Sequence, residues 1–182
     1  MKQLRAGMIL GAALLAAQFG FAGAEPQETR KDAGTSVEQQ VRRELVTLPY
    51  YNLFDSFSFR VDGDTAVLMG KVTRPTLKSD AEKAVSKVEG IKRVSNQIEV
   101  LPLSSNDDGL RLSLFRAIYG HSALQTLAIR AVPPIHILVE HGNVTLEGAV
   151  GNSMQKTIAG VQANTVPGVF SVVNNLLVDD GD

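Results

Sequence analysis

Three histidines and two nearby carboxylates have the side chains best suited to acid–base or metal chemistry in this sequence. His121, His136 and His141 are the histidines, and Glu140 and Glu147 lie close to two of them along the chain. His136 and His141 are five positions apart across an expected strand and turn, so on a regular strand they would point to opposite faces. A weak metal site is conceivable, but histidines on a surface or in a turn explain the spacing better.

Nucleophilic and phosphate-binding chemistry have no matching motif in the chain. The absence of cysteine excludes thiolate nucleophiles, thiolate metal sites and disulfides. There is no G-x-S-x-G turn and no glycine-rich loop followed by Lys and Ser or Thr. The acidic pairs are interpreted as solvated turn and linker residues, namely Asp62, Asp64, Asp107 and Asp108. We therefore expect no catalytic residues, no metal site, no cofactor and no enzymatic activity.

Composition restricts the partners and the class of protein. The chain has 18 Lys and Arg against 19 Asp and Glu, which gives a net charge of −1. Since there is no overall basic field, nucleic acid is not an expected partner. The hydrophobic fraction of 44% is typical of a folded chain rather than a disordered one. A length of 182 residues permits one ordinary domain or two small ones.

The N-terminus has the pattern of a secretory signal. Lys2 and Arg5 precede an apolar stretch whose most apolar part, 8–17, is shorter than the ~20 residues that span a bilayer. Small residues follow at Ala22, Gly23 and Ala24, as signal peptidase requires. We expect a cleaved signal over 1–24, with cleavage near Ala24, and a periplasmic or secreted protein. A retained N-terminal anchor is the alternative.

Two segments of the chain repeat one another at a shift of 78 residues. Residues 61–72 align with 139–150 without a gap, and this alignment places Gly70 on Gly148. Further on, Gly90, Val94, Asn96, Ile98 and Val100 fall on Gly168, Val172, Asn174, Leu176 and Val178. Internal repetition of this kind indicates duplicated structural units. It predicts two domains, 36–103 and 109–182, with a flexible leader at 25–35 and a linker at 104–108.

Hydrophobic periodicity predicts the elements of each unit. Apolar residues recur every four positions at Val37, Val41 and Leu45, and at Leu110, Leu114 and Ile118, which predicts an opening helix. Alternating residues then predict a strand at Phe57, Phe59 and Val61, and at Ile135, Ile137 and Val139. A tight turn, a second strand interrupted by glycine, a second helix and a last strand follow. The fold class is therefore α+β, with two tandem αββαβ units, each a three-stranded mixed sheet packed on two helices.

The spacing of these residues resembles the BON domain family, named for bacterial osmotically inducible and nodulation proteins. The resemblance is carried by 142–150 and 166–169, and by Asn174 to Val178, with the repeated positions above in the first unit. It covers nearly the whole chain after the predicted signal. The resemblance implies a non-enzymatic periplasmic or envelope module that binds phospholipid surfaces and helps to preserve the envelope under stress. It supplies no catalytic residues.

The second predicted helix of the second unit has an additional apolar stripe. Met154, Ile158 and Val161 recur at helical spacing, and Phe170 follows the helix. Together with Lys156 they are the candidate residues for binding a lipid or a partner. Three alternatives remain for this stripe. It packs against the first unit or the connection 124–132, it inserts shallowly into lipid, or it contacts an envelope protein or a second copy of the chain.

Basic residues of the first unit form a secondary candidate surface for anionic headgroups. They are Lys78, Lys83, Lys87, Lys92 and Arg93. Acidic residues are interleaved with them, so an ordinary solvated helix surface is the other interpretation. We expect an envelope-associated module acting at phospholipid surfaces. The alternative is a protein–protein docking or oligomerisation module of an envelope or secretion assembly, without affinity for lipid.

Overall fold

The polypeptide forms two successive units with the same order of elements. A computed structural model describes residues 28–179, so the predicted signal peptide at 1–24 lies outside the described residues. The first unit contains α1 (Glu28–Val46), β1 (Ser56–Asp62), β2 (Thr65–Val72), α2 (Pro75–Val85), β3 (Arg93–Asn96) and β4 (Glu99–Val100). The second contains α3 (Ser105–Tyr119), a 3-10 helix (Gln125–Ile129), β5 (Ile135–Glu140), β6 (Asn143–Val150), α4 (Ser153–Asn164), β7 (Ser171–Asn174) and β8 (Leu177–Val178).

Each unit has a mixed sheet whose central strand is the second strand of that unit in chain order. β1 is antiparallel to β2, which is parallel to β3 and β4, and β5 to β8 repeat this arrangement. A hairpin followed by a helical crossover produces this order of strands. The predicted α+β class and the two αββαβ units are confirmed, with the last strand of each unit divided into two short pieces.

An asparagine holds the divided strand of each unit against the preceding helix. The Oδ1 atom of Asn96 accepts the N–H of Ile98 at 3.2 Å, and its amide donates to the carbonyl of Lys78 on α2 at 2.8 Å. Asn174 makes the same two bonds in the second unit. Its Oδ1 atom accepts the N–H of Leu176, and its amide donates to the carbonyl of Lys156 on α4. These bonds satisfy the backbone where the strand leaves the ladder.

Both helices of a unit cover one face of its sheet. The buried core of the first unit includes Val41, Leu45, Leu68, Val72, Leu77, Ala81 and Val85. The second core includes Leu114, Ile118, Ile135, Ile137, Leu146, Val150, Ala159 and Ala163. We call the other face of each sheet, which carries no helix of its own unit, the open face.

Gly70 and Gly148 lie where the backbone of the hairpin approaches most closely. Their φ angles are +123° and +112°. A Cβ added to Gly70 would collide with the carbonyl of Ser56, and one added to Gly148 would collide with the carbonyl of Pro134. The glycine that interrupts the second strand of each unit therefore lies at a close backbone approach, and glycine is the residue that fits it.

Two helices begin earlier in the chain than the sequence predicts. α1 begins at Glu28, inside the predicted leader at 25–35, and α3 begins at Ser105, inside the predicted linker at 104–108. The side chain of Ser104 caps α3 by accepting the N–H of Asp107 at 3.2 Å. The leader lacks apolar periodicity and the linker is short and polar, so neither start had a hydrophobic signal.

The expectation that the acidic pair of the linker is solvated is wrong for Asp107, whereas Asp108 is exposed. Asp107 is 2% exposed, and its carboxylate accepts the N–H groups of His141 and Gly142 at 2.9 and 3.0 Å. Both turn residues have positive φ, and their N–H groups are not used by the two-residue turn itself. Asp108 instead accepts a hydrogen bond from the buried Arg111 at 2.5 Å.

Candidate functional site

The apolar stripe of the second unit lies on the solvent side of α4. Met154 is 68% exposed, Val161 is 54% exposed and Phe170 is 85% exposed. Ile158 is half-buried and packs against the second core. Lys156 is half-buried as well. The alternative in which the stripe is covered by the first unit or by 124–132 is therefore wrong for the three exposed side chains.

Helical geometry separates this stripe from the core-facing side of α4. Ala159 and Ala163 are buried, and they lie on the opposite side of the helix from Met154 and Val161. The helix is fixed at its start by Asn152, whose side chain accepts the N–H of Gln155 at 2.9 Å. The exposed side chains are consequently not needed to hold α4 in place.

The same positions in the first unit are polar. At a shift of 78 residues, Met154, Val161 and Phe170 fall on Thr76, Lys83 and Lys92. The core-facing residues stay apolar in both units. The difference is therefore confined to the outer surface, where the second unit exposes apolar side chains that the first unit lacks.

Most of the candidate basic residues of the first unit are already paired with carboxylates. Lys83 lies 3.6 Å from Asp80, and both Lys92 and Arg93 contact Asp64, at 3.4 and 3.3 Å. The hydrogen bond from Lys92 is the main reason that the pKa of Asp64 is lowered. Of the remaining two, Lys78 is half-buried and Lys87 lines a groove between α1 and α2. An anionic headgroup would have to compete with these acidic partners.

The two units contact each other through polar residues of their open faces. Lys71 lies 2.5 Å from Glu140, and the hydroxyl of Ser56 donates to Glu147 at 2.5 Å. The hydrogen bond to Glu140 raises the pKa of Lys71. Leu138, which also belongs to the open face of the second sheet, is 4% exposed. These contacts fix the orientation of one sheet relative to the other.

The connection between α1 and β1 extends into the second unit. Leu53 and Phe54 pack against the second core, and the carbonyl of Leu53 accepts the N–H of Ile137 at 2.8 Å. Asp55 anchors the end of this connection because its buried carboxylate accepts the N–H and hydroxyl of Thr73 at 2.7 and 2.8 Å. The second core is therefore completed by side chains of the first unit.

His136 lies at this contact rather than in a metal site. Its ring stacks on Tyr51 with centroids 5.7 Å apart, and the Tyr51 hydroxyl is 3.5 Å from Nε2. Burial lowers the pKa of His136 and raises the pKa of Tyr51 to about 12. Within residues 28–179, no group of three His, Asp or Glu side chains is placed to hold a metal ion.

An interdomain groove of about 750 Å³ runs beside β1 between the two units. One wall is formed by α1 and by five consecutive residues of β1, 56–60. The other wall includes Glu147, Ala149 and Leu177 of the second unit. This interdomain groove combines apolar, aromatic and charged side chains.

None of the helices in the range 28–179 is both long and apolar enough to cross a membrane.

Comparison with known families identifies the repeated unit. The family model described as BON domain matches residues 34–102 and 122–180, which is more than half of the chain. The chain belongs to the BON domain family. The resemblance predicted from the sequence is therefore confirmed. BON domains are non-catalytic binding domains that are typical of periplasmic proteins.

Other comparisons add little to the family assignment. No curated protein matches this chain. Two solved structures of CdsD, a structural protein of the type III secretion system of Chlamydia trachomatis, are similar at 14% identity and a TM-score of 0.29. One is described as the C-terminal domain, covering 77% of this chain and 96% of that chain, and the other covers 80% and 94%. TM-scores this low carry no further conclusion.

Sequence reasoning missed the residues that join the two BON domains. Tyr51, Leu53 and Phe54 lie in a connection between a helix and a strand, where hydrophobic periodicity assigns no role. The available signal was the presence of three large apolar residues in one short connection. At a shift of 78 residues, the same positions carry no aromatic residue.

Proposed function

We propose that this protein is an envelope-associated BON module whose second unit binds phospholipid surfaces. The exposure of Met154, Val161 and Phe170, where the first unit has polar residues, is the observation that supports it most strongly. In this proposal the predicted signal at 1–24 directs the protein to the periplasm. The module supports envelope integrity under stress.

Transfer of exposed apolar side chains into lipid is the driving force that we assign to this binding. Burying a fully exposed Phe, Met or Val side chain contributes about 1.5 to 3 kcal/mol. Phe170 is the most exposed of the three, and the candidate Lys156, two positions after Met154 on α4, is half-buried. A basic residue near an anionic surface adds about 1 kcal/mol. Shallow insertion of Phe170 is therefore the largest expected contribution.

Flotation of the protein with phosphatidylglycerol-containing vesicles tests the proposal. Phe170→Asp is expected to reduce the bound fraction strongly, because it places a charge where the ring enters lipid. Ile129→Asp is the matched control, since Ile129 is also 85% exposed but lies on the 3-10 helix, away from α4. Circular dichroism establishes that both variants are folded. Ile158→Asp is less suitable because Ile158 packs against the core.

The outcome with vesicles also separates lipid binding from protein docking. Equal flotation of Phe170→Asp and the unsubstituted protein would contradict the proposal. A defined oligomer that Phe170→Asp dissociates, together with no vesicle binding, would instead favour the docking or oligomerisation alternative. Vesicles of phosphatidylcholine alone show how much of the binding depends on anionic headgroups.

A further inference from the structure

The backbone groups along the outer edge of β1 have no hydrogen-bond partner within residues 28–179. β1 ends in a two-residue turn whose closing pair is Asp62 and Thr65. The two residues of such a pair form two backbone hydrogen bonds with each other. Along the antiparallel strand, only every second residue then bonds to the neighbouring strand. The N–H and C=O groups of Phe57, Phe59 and Val61 therefore point away from β2, and no described group bonds to them.

The equivalent edge of the second unit, on β5, is largely occupied by other groups of this chain. The hydroxyl of Tyr119 accepts the N–H of Ile135 and donates to its carbonyl, at 2.9 and 2.8 Å. The N–H of Ile137 donates to the carbonyl of Leu53 at 2.8 Å. Arg111 donates to the carbonyl of Val139, two residues further along β5, at 2.7 Å. Proteins usually protect their sheet edges in this way, so the free edge of β1 is the exception.

The free edge lies in the interdomain groove. Residues 56–60 of β1 line it, α1 borders it on one side and the second unit on the other. An added strand would lie about 4.8 Å from β1, and five extended residues are about 17 Å long. Since α1 and the second unit flank this edge, a complete second sheet brought to it would meet both of them, whereas a single extended segment needs only the width of one strand. The geometry therefore favours a peptide segment over a second copy of this chain.

Side chains on the two walls indicate the chemistry of the segment. Successive residues of an added strand would face α1 and the second unit alternately. The α1 side has the half-exposed Val46 and Arg42, whose guanidinium lies 5.7 Å from the ring of Phe59. The other side has the 71% exposed Leu177 and, on β1 itself, Arg60. Each side thus pairs an apolar side chain with an arginine.

The charges of the groove favour acidic side chains in the segment. Arg42 and Arg60 form no ion pair with a described carboxylate. Of the two acidic residues in the groove, Glu147 accepts the hydroxyl of Ser56, and Glu38 lies one helical turn before Arg42. The arginines are therefore available to a carboxylate of the bound segment.

We propose that the edge of β1 captures an extended segment of another protein, with apolar and acidic side chains, as an additional strand. Main-chain bonds to Phe57, Phe59 and Val61 would provide affinity, and the two walls would provide selectivity. This inference is independent of the lipid proposal, because the apolar stripe on α4 contributes no residue to the groove.

Fluorescence anisotropy with a labelled eight-residue peptide of alternating valine and glutamate tests the proposal on the full chain. We expect saturable binding, and weaker binding of a peptide in which lysine replaces glutamate. Arg42→Glu and Arg60→Glu should each weaken binding of the glutamate peptide about tenfold. Arg43→Glu is the matched control, since it makes the same charge change one residue along α1, on the side of the groove between α1 and α2.

Amide hydrogen exchange followed by NMR shows whether the peptide occupies the edge. In the free protein, the amides of Phe57 and Phe59 should exchange quickly and those of Ile135 and Ile137 slowly. The glutamate peptide should protect the first pair, and Phe170→Asp should leave this protection unchanged. Absence of saturable binding, or binding without protection of Phe57 and Phe59, would overturn the proposal. So would protection that grows with protein concentration in the absence of peptide, because a second copy would then occupy the edge.

Discussion

The hairpin turns of the two units have the same place in the fold but are stabilised by different kinds of contact. In the first unit, Gly63 has a φ of +61° and Asp64 pairs with basic side chains at the surface. In the second, both turn residues have positive φ and the buried carboxylate of Asp107 accepts their N–H groups. Both units keep a two-residue turn at this place, but only one of its residues has positive φ in the first unit, and the contacts that support it are exposed in one unit and buried in the other.

This difference has an energetic consequence. Exposed ion pairs contribute little because both charges are well solvated when separated. A buried acceptor is different, since its removal leaves the N–H groups bound to it without their partner. We therefore expect the stability of the two units to depend equally on Gly70 and Gly148, and unequally on Asp64 and Asp107.

Replacement of the shared glycines should give the largest loss of stability. Gly148→Ala forces a Cβ against the carbonyl of Pro134 at a φ that alanine avoids, and Gly70→Ala does the same against Ser56. Each should lower the free energy of unfolding by more than about 2 kcal/mol in urea titrations. Because the second core contains Leu53 and Phe54, we expect one cooperative transition in both variants.

Gly109→Ala is the control for the glycine variants, because a Cβ at Gly109 meets nothing within 4 Å and its φ is not in the left-handed range. Two separate transitions, with Gly70→Ala lowering one and Gly148→Ala the other, would contradict the idea of a single cooperative unit.

Removal of the carboxylates that support the two hairpin turns, Asp64 and Asp107, should change the free energy of unfolding less than the glycine substitutions do, and by different amounts in the two units. Asp107→Ala should lower the free energy of unfolding by about 2 to 3 kcal/mol, since it leaves the N–H groups of His141 and Gly142 unpaired. Asp64→Ala should have little effect. Asp107→Asn keeps one acceptor oxygen and should fall between the two. Equal losses for Asp107→Ala and Asp64→Ala would show that burial of the carboxylate does not matter.

The contact between the units should give the smallest effect, and one that depends on pH. Burial lowers the pKa of His136 below its ordinary value of 6.5, so the folded protein favours the neutral ring. The unfolded chain therefore binds a proton first as the pH falls. The stabilisation is complete above pH 6.5 and is lost as the pH falls from there towards the lower pKa of the folded state.

Urea titrations at pH 7.5, 6 and 5 measure this loss. His136→Gln should flatten the fall in stability between pH 7.5 and 5, and the same substitution at the exposed His141 is the control. The hydroxyl of Tyr51 is near the ring but does not titrate in this range, because its pKa is raised to about 12. The same pH dependence in the His136 variant and the unsubstituted protein would exclude His136 as its source.

The sequence contained enough information for the elements and for the family. Alternation at Phe57, Phe59 and Val61 predicted β1 because every second side chain faces the helices. The repeat also aligned Asn96 with Asn174, and the structure explains the match by their identical bonds to the helix backbone. Local patterns were sufficient in these cases because each residue's role depends on its own unit.

Contacts between distant parts of the chain could not be predicted in this way. Leu53 and Ile137 are far apart in sequence, and no periodicity relates them. Asp107 looked like a solvated acid because its partners, at His141 and Gly142, approach it through the folding of the second unit. The exposure of Met154 likewise depended on where the first unit packs, which the sequence did not indicate.

The connection that carries Leu53 and Phe54 also restricts how this protein can evolve. A duplicated unit is usually free to be lost, moved or fused elsewhere by recombination. Here, a gene fragment encoding residues from α3 onward would lack two side chains of its own core and one bond to β5. We therefore expect selection to keep the two units together and in this order, because the second unit is less stable as a separate part.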